Sequence, residues 1–544
     1  MGDGDKVSWG REILTKSFQH FTPRFEEFSN AVQSPASVSI HNLNEDCFDL
    51  ILAHLSLVEL LNAAKVCRKW YNACLDAAFR IDTLCVHCLM KELKGRFDVT
   101  KTTLSAENVR TAIMMTQGNL KKLLFCELHD EEIYCEDKVS DSTTCRLHEF
   151  YGYFDEDSNS FDKDMVRAIS LYCPNLEMLD ISSKVWSVPE ENSPTAEYIA
   201  SHLPRSLKYL ILQGNSTYDE EWLTIVTENL TNLEGIDLKD NGWFTGNFIQ
   251  KNLSQNKLKY IKFASHCNEL ALGHLQYAIK TNAETLEYLN IGYSLITPEF
   301  TFVRTGIPAL PAMKELHVRG SRYRDFMGEH NLDSRFQELD IWSFTESKMP
   351  RLNALAPLLQ MPNLEVLELK YCCNFVKDPQ YLDCITASCP QLRELSLDGF
   401  VITSLIQLQG MEKLKSLRKL HIAIPINLSG ETLNYTRFFR LILTKLKSLD
   451  LLSLKFCPSL TDEDLYEVMQ SCPNLSTIHV ASDRDSPLVG KEFLAKCGQM
   501  KRETKLKIEV FEKFGIKKID VIDVMPFLQI RLWPVYRPFP LGFL

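Results

Sequence analysis

The chain has 544 residues and a mass of 62.5 kDa, too long for one compact core, so it must divide into domains or run as a repeat array. Its 45% hydrophobic and 24% charged residues exclude overall disorder, and 22 Gly with 22 Pro exclude collagen-like and low-complexity classes. A net charge of −11 gives no general attraction to nucleic acid or an anionic membrane, and no apolar run reaches the ~18 residues of a membrane span.

The opening residues, Met1 to Gly10, lack the apolar core of a secretory signal, and Lys6 stands where a myristoylation motif has Ser or Thr. A cytoplasmic and/or nuclear location is therefore expected. In such a reducing compartment the 17 cysteines read as buried thiols. The Asn-x-Ser/Thr sequons at Asn215, Asn229, Asn252, Asn427, Asn434 and Asn474 then read as chance matches. Residues 1–40 form an extension expected to be partly helical, since Phe18, Phe21, Phe25 and Phe28 follow helical spacing with Pro23 interrupting.

The next segment, residues 41–80, reads as a compact helical hairpin. Ser56 followed by Glu59 has the spacing of a capping box, which predicts one helix ending near Leu55 and another starting at Leu57. Leu50, Ile51, Leu55, Leu60, Leu61, Ala64, Cys67 and Trp70 are more apolar side chains than so short a segment hides, and an exposed apolar surface marks an interface.

From residue 81 to about 510 a repeat dominates. The frame L-x-x-L-x-L, with conservative replacements, begins with the degenerate copies Ile81/Leu84/Val86 and Leu120/Leu123/Phe125. An acidic insert at 126–164 follows, in which 13 Asp and Glu face only Lys138, Arg146 and Lys163. The frame returns at Leu176, Leu207, Leu233, Leu258, Leu286, Met313, Phe336, Leu364, Leu392, Leu417, Leu449 and Leu475, for about 14 copies in all. From Leu207 to Leu475 ten steps span 268 residues, inside the ~20–29-residue leucine-rich-repeat period. Alternating apolar residues predict a short strand. Segments such as Thr461-Asp-Glu-Asp-Leu465-Tyr-Glu-Val468-Met469 predict a helix between strands, with Thr461 or Asp462 as N-cap. No such unit buries its apolar face alone, so the units stack. The expected fold is α/β, a leucine-rich-repeat solenoid preceded by a small all-helical domain. Its parallel strands line the concave face of a horseshoe, with helices on the convex face. Residues 511–544 complete the chain as a C-terminal cap and an aromatic, Pro-rich tail from Arg531 to Leu544, extended and covering the last repeat.

Two resemblances sharpen this reading. The run Cys457-Pro-Ser-Leu460-Thr-Asp-Glu-Asp-Leu465 with Ser471-Cys472-Pro473-Asn474-Leu475 resembles the cysteine-containing leucine-rich repeat, and Cys173-Pro-Asn-Leu176 and Cys389-Pro-Gln-Leu392 repeat its end. That family implies a Cys packed inside and a Pro that ends the helix. The segment Leu43 to Trp70 resembles an F-box, whose pattern L-P-x-E, L-S, L-L and V-C-R-x-W is met by Leu43, Glu45, Leu55, Ser56, Leu60, Leu61, Val66, Cys67, Arg68 and Trp70, with Leu50 and Ile51 at its apolar positions. The family proline is Asn44 here, which can still cap the helix. The resemblance implies a non-catalytic substrate-recognition subunit of a Skp–cullin–F-box E3 ubiquitin ligase. It implies adaptor contact through Leu43, Glu45, Leu50, Ile51, Leu55, Leu60, Leu61, Val66, Cys67 and Trp70, and through the Skp-type adaptor a cullin and a RING protein. Other readings are an F-box scaffold without ligase function and an extracellular recognition protein with a solenoid ectodomain.

In the repeat frame, positions 3, 5 and 7 point away from the core. Aromatic residues and Arg anchor interfaces, which selects Tyr260, Tyr288, His317, Arg319, Asp340 and Trp342 as the target-binding patch, with the loop Arg322-Tyr323-Arg324 beside it. Cys85, His87, Cys88, Cys126, His129, Cys135, Cys145 and His148 fit no standard zinc spacing. No phosphate-binding loop, H-E-x-x-H or G-x-S-x-G motif occurs, so neither a metal, nor a cofactor, nor catalysis is expected.

Overall fold

A computed structural model describes residues 44–86, 106–125, 161–182, 193–213, 219–239, 241, 244–263, 272–291, 309–319, 361–370, 381–398, 410–423, 442–455, 461–482, 491–497, 500, 504–512, 520–525 and 528–534. The chain divides into two units, Met1–Ser56 and Leu57–Leu544.

The first unit contributes helix α1 (Glu45–Ala53). Asn44, the residue in place of the family proline, is its N-cap: the side-chain oxygen accepts from the Asp46 N–H at 2.8 Å. Its C-cap is His54, one residue short of the expected Leu55.

The second unit opens with α2 (Leu57–Ala63) and α3 (Arg68–Ala78). The segment read as a hairpin is thus three helices. Cys67 is fully extended, with φ −166° and ψ 172°, and this separates α3 from α2. Val58 and the flanks of Leu57 and Leu61 join the core that continues into the sheet, and Asn119 donates to the Phe79 carbonyl at 2.6 Å. Helices α2 and α3 therefore close this end of the repeat array.

Strand and helix then alternate: β1 (Thr83–Cys85), α4 (Ala106–Met115), β2 (Lys122–Leu124), α5 (Lys163–Tyr172), β3 (Met178–Asp180), α6 (Ala196–His202), β4 (Tyr209–Ile211), α7 (Glu220–Thr227), β5 (Gly235–Asp237), α8 (Asn247–Asn252), β6 (Tyr260–Phe263), α9 (Leu272–Thr281) and β7 (Tyr288–Ile291). There follow β8 (Glu315–Arg319), β9 (Val366–Lys370), α10 (Tyr381–Ser388), β10 (Glu394–Asp398), β11 (Lys419–Ala423), β12 (Leu451–Lys455), α11 (Asp462–Ser471), β13 (Thr477–Ser482), α12 (Lys491–Cys497), β14 (Leu506–Glu512), β15 (Asp520–Met525) and β16 (Leu528–Pro534). Short 3-10 turns at Gly410–Lys413 and Leu443–Lys445 precede β11 and β12. All strands form one open sheet in chain order, except that β16 lies between β14 and β15. Among the described residues fifteen strands run parallel, and β15 pairs antiparallel with β16. This is a leucine-rich-repeat solenoid.

Its core follows from the repeat frame. Leu179, Leu210, Ile236, Ile261, Leu289, Leu316, Leu367, Leu395, Leu420, Leu452 and Ile478 stand in register across the sheet and are all buried. Each contributes about 2 kcal/mol of apolar burial that its own unit could not obtain alone. Phe336/Leu339/Ile341 lies outside the described residues, and β8 pairs directly with β9, Leu316 opposite Leu367. At that place the chain takes a 51-residue step, about twice the regular period. At the other end, the boundary drawn at 510 falls inside β14, and the sheet continues to Pro534.

The cysteines behave as expected for packing groups. Cys173, Cys389 and Cys472 follow helices α5, α10 and α11 and are buried free thiols. Burial pushes the thiols of Cys173 and Cys389 up to about 12, and the Cys472 thiol donates to the Leu443 carbonyl at 3.4 Å. Asn175, Asn232, Asn363 and Asn474, in the turns before the strands, each donate to a carbonyl of the preceding repeat. Helix starts are capped by Asp162, Thr195, Asp219 and Thr461, the last in a reciprocal capping box with Asp464. Asp162 belongs to the acidic insert by sequence, yet it caps α5 and pairs with Arg110 at 3.3 Å. One cap was not legible. Glu220 of α7 accepts from the backbone N–H groups of Thr245, Gly246 and Phe248 at 2.5–3.0 Å, so one repeat caps α8 of the next.

The N-terminal rim of the sheet carries a charged row. Its members precede the strands and are joined by backbone hydrogen bonds in the order Lys121, Glu177, Lys208, Glu234, Lys259, Glu287, Lys314, Glu365, Arg393, Arg418, Asp450 and Ser476. Each glutamate pairs with the next cation: Glu177 with Lys208 at 3.2 Å, Glu234 with Lys259 at 2.8 Å, Glu287 with Lys314 at 2.6 Å and Glu365 with Arg393 at 3.2 Å.

Candidate functional site

Two regions answer to the sequence expectations, one in the helical segment and one on the sheet. In the first unit, the amphipathic pattern of α1 turns Phe48 and Leu52 inward and leaves Leu50 and Ile51 63% and 41% exposed. Two adjacent aliphatic side chains in water on one short helix form a sticky patch without polar cover. In the second unit Val66, in the break between α2 and α3, is 48% exposed. Leu61, Cys67 and Trp70 are half-buried, as is Leu55 in the first unit. Leu60, expected at the interface, is 2% exposed and is a core residue instead, because α2 faces the repeat core with Val58 and Leu60. Leu43 and the Glu45 side chain lie outside the described residues. The reading missed Phe79, which is half exposed just after α3. A large apolar residue at a helix C-cap was the available signal.

On the sheet, the face opposite the Leu core carries an aromatic and polar row. Tyr260 and Tyr288, opposite each other on β6 and β7, stack at 4.3 Å with their rings 15° apart. Tyr288 lies 5.2 Å from the ring of His317 on β8. Gly235 on β5 lies between Tyr209 and Tyr260, and a Cβ there would sit 2.4 Å from the Tyr209 ring, so glycine is what lets that ring lie across β5. His317 Nδ1 is 2.7 Å from Glu368 on β9, and its Nε2 is 3.5 Å from Glu315 on its own strand. Burial, the largest single effect, pulls the imidazole's pKa down. The ion pair with Glu315 and the hydrogen-bonded Glu368 outweigh it and raise the pKa from 6.5 to about 9, which favours the imidazolium at neutral pH.

The structure therefore gathers Tyr260, Tyr288 and His317, with Glu368 as a fourth member that the repeat frame had placed one strand further away. Asp340 and Trp342 lie outside the described residues. β8 and β9 are direct neighbours, which sets His317 opposite Glu368. Arg319 is on β8, its side chain outside the described residues, and Arg322, Tyr323 and Arg324 lie outside as well. The polar members of the row are not a solvated face. Lys262 and Asp237 are 3% and 2% exposed and pair at 3.4 Å, and Gln213 donates to Asp237 at 2.7 Å. Side chains on strands ~4.8 Å apart satisfy one another across the row. Of the residues weighed for zinc, Cys85 alone is described, half-buried on β1.

Comparison with known proteins bears on these regions separately. The family model of the F-box domain matches residues 40–82. No curated protein matches the chain. Among solved structures, the chain is similar to one in the crystal structure of the Rad7 and Elc1 complex in yeast. The two share 16% identity over 84% of this chain and 99% of that one, with a TM-score of 0.44. It is also similar to the leucine-rich repeat-containing protein LegL7 from Legionella pneumophila, at 13% identity over 61% of this chain and 92% of that one, with a TM-score of 0.30. The chain carries an F-box domain at residues 40–82, followed by a leucine-rich-repeat solenoid.

Proposed function

We propose that this protein is the substrate-recognition subunit of a Skp–cullin–F-box ubiquitin ligase. The F-box docks on a Skp-type adaptor, through it reaches cullin and the RING protein, and the solenoid holds the target. The contribution is proximity, not bond chemistry: a bound target's lysines stay near a conjugating enzyme, which converts a bimolecular encounter into a local one. The observation that carries this reading is the bare aliphatic pair Leu50 and Ile51 on α1, inside the segment that the F-box domain matches. The tyrosine row with its His317 imidazolium supports the second half, since rigid aromatic side chains bind partners at small entropic cost.

Purified full-length protein mixed with a recombinant Skp-type adaptor should elute as a stable complex, and cullin should join through the adaptor. Leu50→Asp with Ile51→Asp should weaken adaptor binding by at least about tenfold at unchanged circular dichroism, as expected when interface anchors are removed. A wild-type protein that leaves the adaptor unbound refutes the proposal. A complex that forms without admitting cullin would favour a scaffold.

A further inference from the structure

The bare side of α1 extends beyond its aliphatic pair. Cys47, Leu50, Ile51 and His54 follow the i, i+3, i+4, i+7 spacing of one helix face, and all four are exposed. Asp46 and Asp49 border this face in solvent, and α1 carries no basic residue. The helix belongs to one unit with the N-terminal extension, since the chain divides after Ser56. Residues 1–43 lie outside the described residues, but their sequence carries a matching stripe. Leu14, Phe18, Phe21, Phe25, Phe28 and Val32 recur at 4-3-4-3-4 spacing, the apolar seam of a helix that packs on another. Pro23 is compatible with it, because Thr22 and Pro23 are the N-cap and first-turn residues that start a second helix. Arg11 and Arg24 border the stripe at helical spacing, opposite in sign to Asp46 and Asp49. Residues 33–43 join the stripe to α1 and reach about 36 Å when extended, against about 13 Å for the whole of α1.

We propose that residues 11–32 are the resting cover of α1's exposed face, and that the Skp-type adaptor must displace them to dock. The inference concerns regulation of the adaptor site and rests on that reading of α1 for the adaptor's part alone. Tethering makes this segment the favoured occupant. A short linker holds it at roughly millimolar effective concentration, which a second copy of the chain does not reach in dilute solution. A contact with an intrinsic affinity on the order of 0.1 mM is then closed about ten times as often as it is open. The apparent affinity for the adaptor falls by the same factor, because only the open fraction binds. Such a cover keeps Leu50 and Ile51 out of water in the free protein and still yields to a tighter partner.

The test uses the full-length protein and reads Cys47, whose exposed thiol shares the face, by its rate of maleimide labelling followed by peptide mass spectrometry. Changing Phe18, Phe21, Phe25 and Phe28 together to Ser should speed Cys47 labelling about tenfold, with Cys67 labelling and the melting transition unchanged. The same variant should bind the adaptor about tenfold more tightly. Arg11→Glu with Arg24→Glu, which keeps the apolar stripe, should shift both readings the same way by less. Equal or slower Cys47 labelling in the Phe variant overturns the proposal. A wild-type labelling rate that rises on about hundredfold dilution also overturns it, by reassigning the cover to a second copy. Faster labelling with unchanged or weaker adaptor binding overturns the displacement, by making the extension neutral to the adaptor or part of its contact. If no form binds the adaptor, the adaptor reading and the displacement fall together, whereas Cys47 labelling alone decides the cover.

Discussion

Gly235 is where a single missing Cβ shapes the sheet's outer face. With glycine the Tyr209 ring lies across β5; alanine would press on the ring at 2.4 Å. Gly235→Ala should therefore cost about 1–3 kcal/mol by overpacking, read as a lowered denaturant midpoint with a changed tyrosine fluorescence. His317 makes a second prediction, about pH. Its folded-state pKa of about 9 lies above the ordinary 6.5, so the bound proton stabilises the fold. That contribution is complete below about pH 6.5 and is lost as pH rises through 9. The groups facing the ring are Glu315, Glu368 and Tyr288. Melting temperature should fall between pH 7 and pH 10, and His317→Gln should flatten that part of the profile. A wild-type profile as flat as that of the variant would refute the assignment.

At the scale of elements, the repeats hold one another through more than apolar contact. Glu220 reaches from α7 to three N–H groups at the start of α8, donors that α8 cannot satisfy within itself. Glu220→Ala should destabilise by about 1–3 kcal/mol, because partly buried donors are left unpaired. Hydrogen exchange should show the loss concentrated in α8. Nothing in the local sequence of α8 announces this cap, since Gly246 at its N-cap position has no side chain to offer. By contrast Asn44, Asp162 and Thr461 cap their own helices and are readable from spacing alone. A cap within three residues is a sequence feature; one that crosses a repeat is a tertiary one.

For the molecule as a whole, the sheet's ends decide its solubility. The strands after Leu506 close the array, with β16 covering β14 and the antiparallel β15 standing at the edge. Truncation after Glu512 removes both and bares the full length of β14, an edge that recruits other chains. Light scattering should show that truncated protein self-associating beyond the full-length chain, while Gly235→Ala and Glu220→Ala scatter as the full-length chain does.

The solenoid was legible because its cause is local and repeated. A Leu at positions 1, 4 and 6 of every unit must be buried, and only stacking buries it. The resemblance to the cysteine-containing repeat implied that Cys173, Cys389 and Cys472 pack inside, and the excess of apolar residues around Leu50 and Ile51 marked that segment as a surface. What the sequence could not decide is which distant residues become neighbours. β8 pairs directly with β9, so Glu368, 51 residues away in sequence, meets His317. Arg393 and Arg418 are 25 residues apart in sequence and joined by a backbone hydrogen bond at the sheet's rim. Burial obeys a short periodic rule that each unit carries with it. Pairing across strands depends on how many residues the chain spends between them, and the fold alone makes that choice.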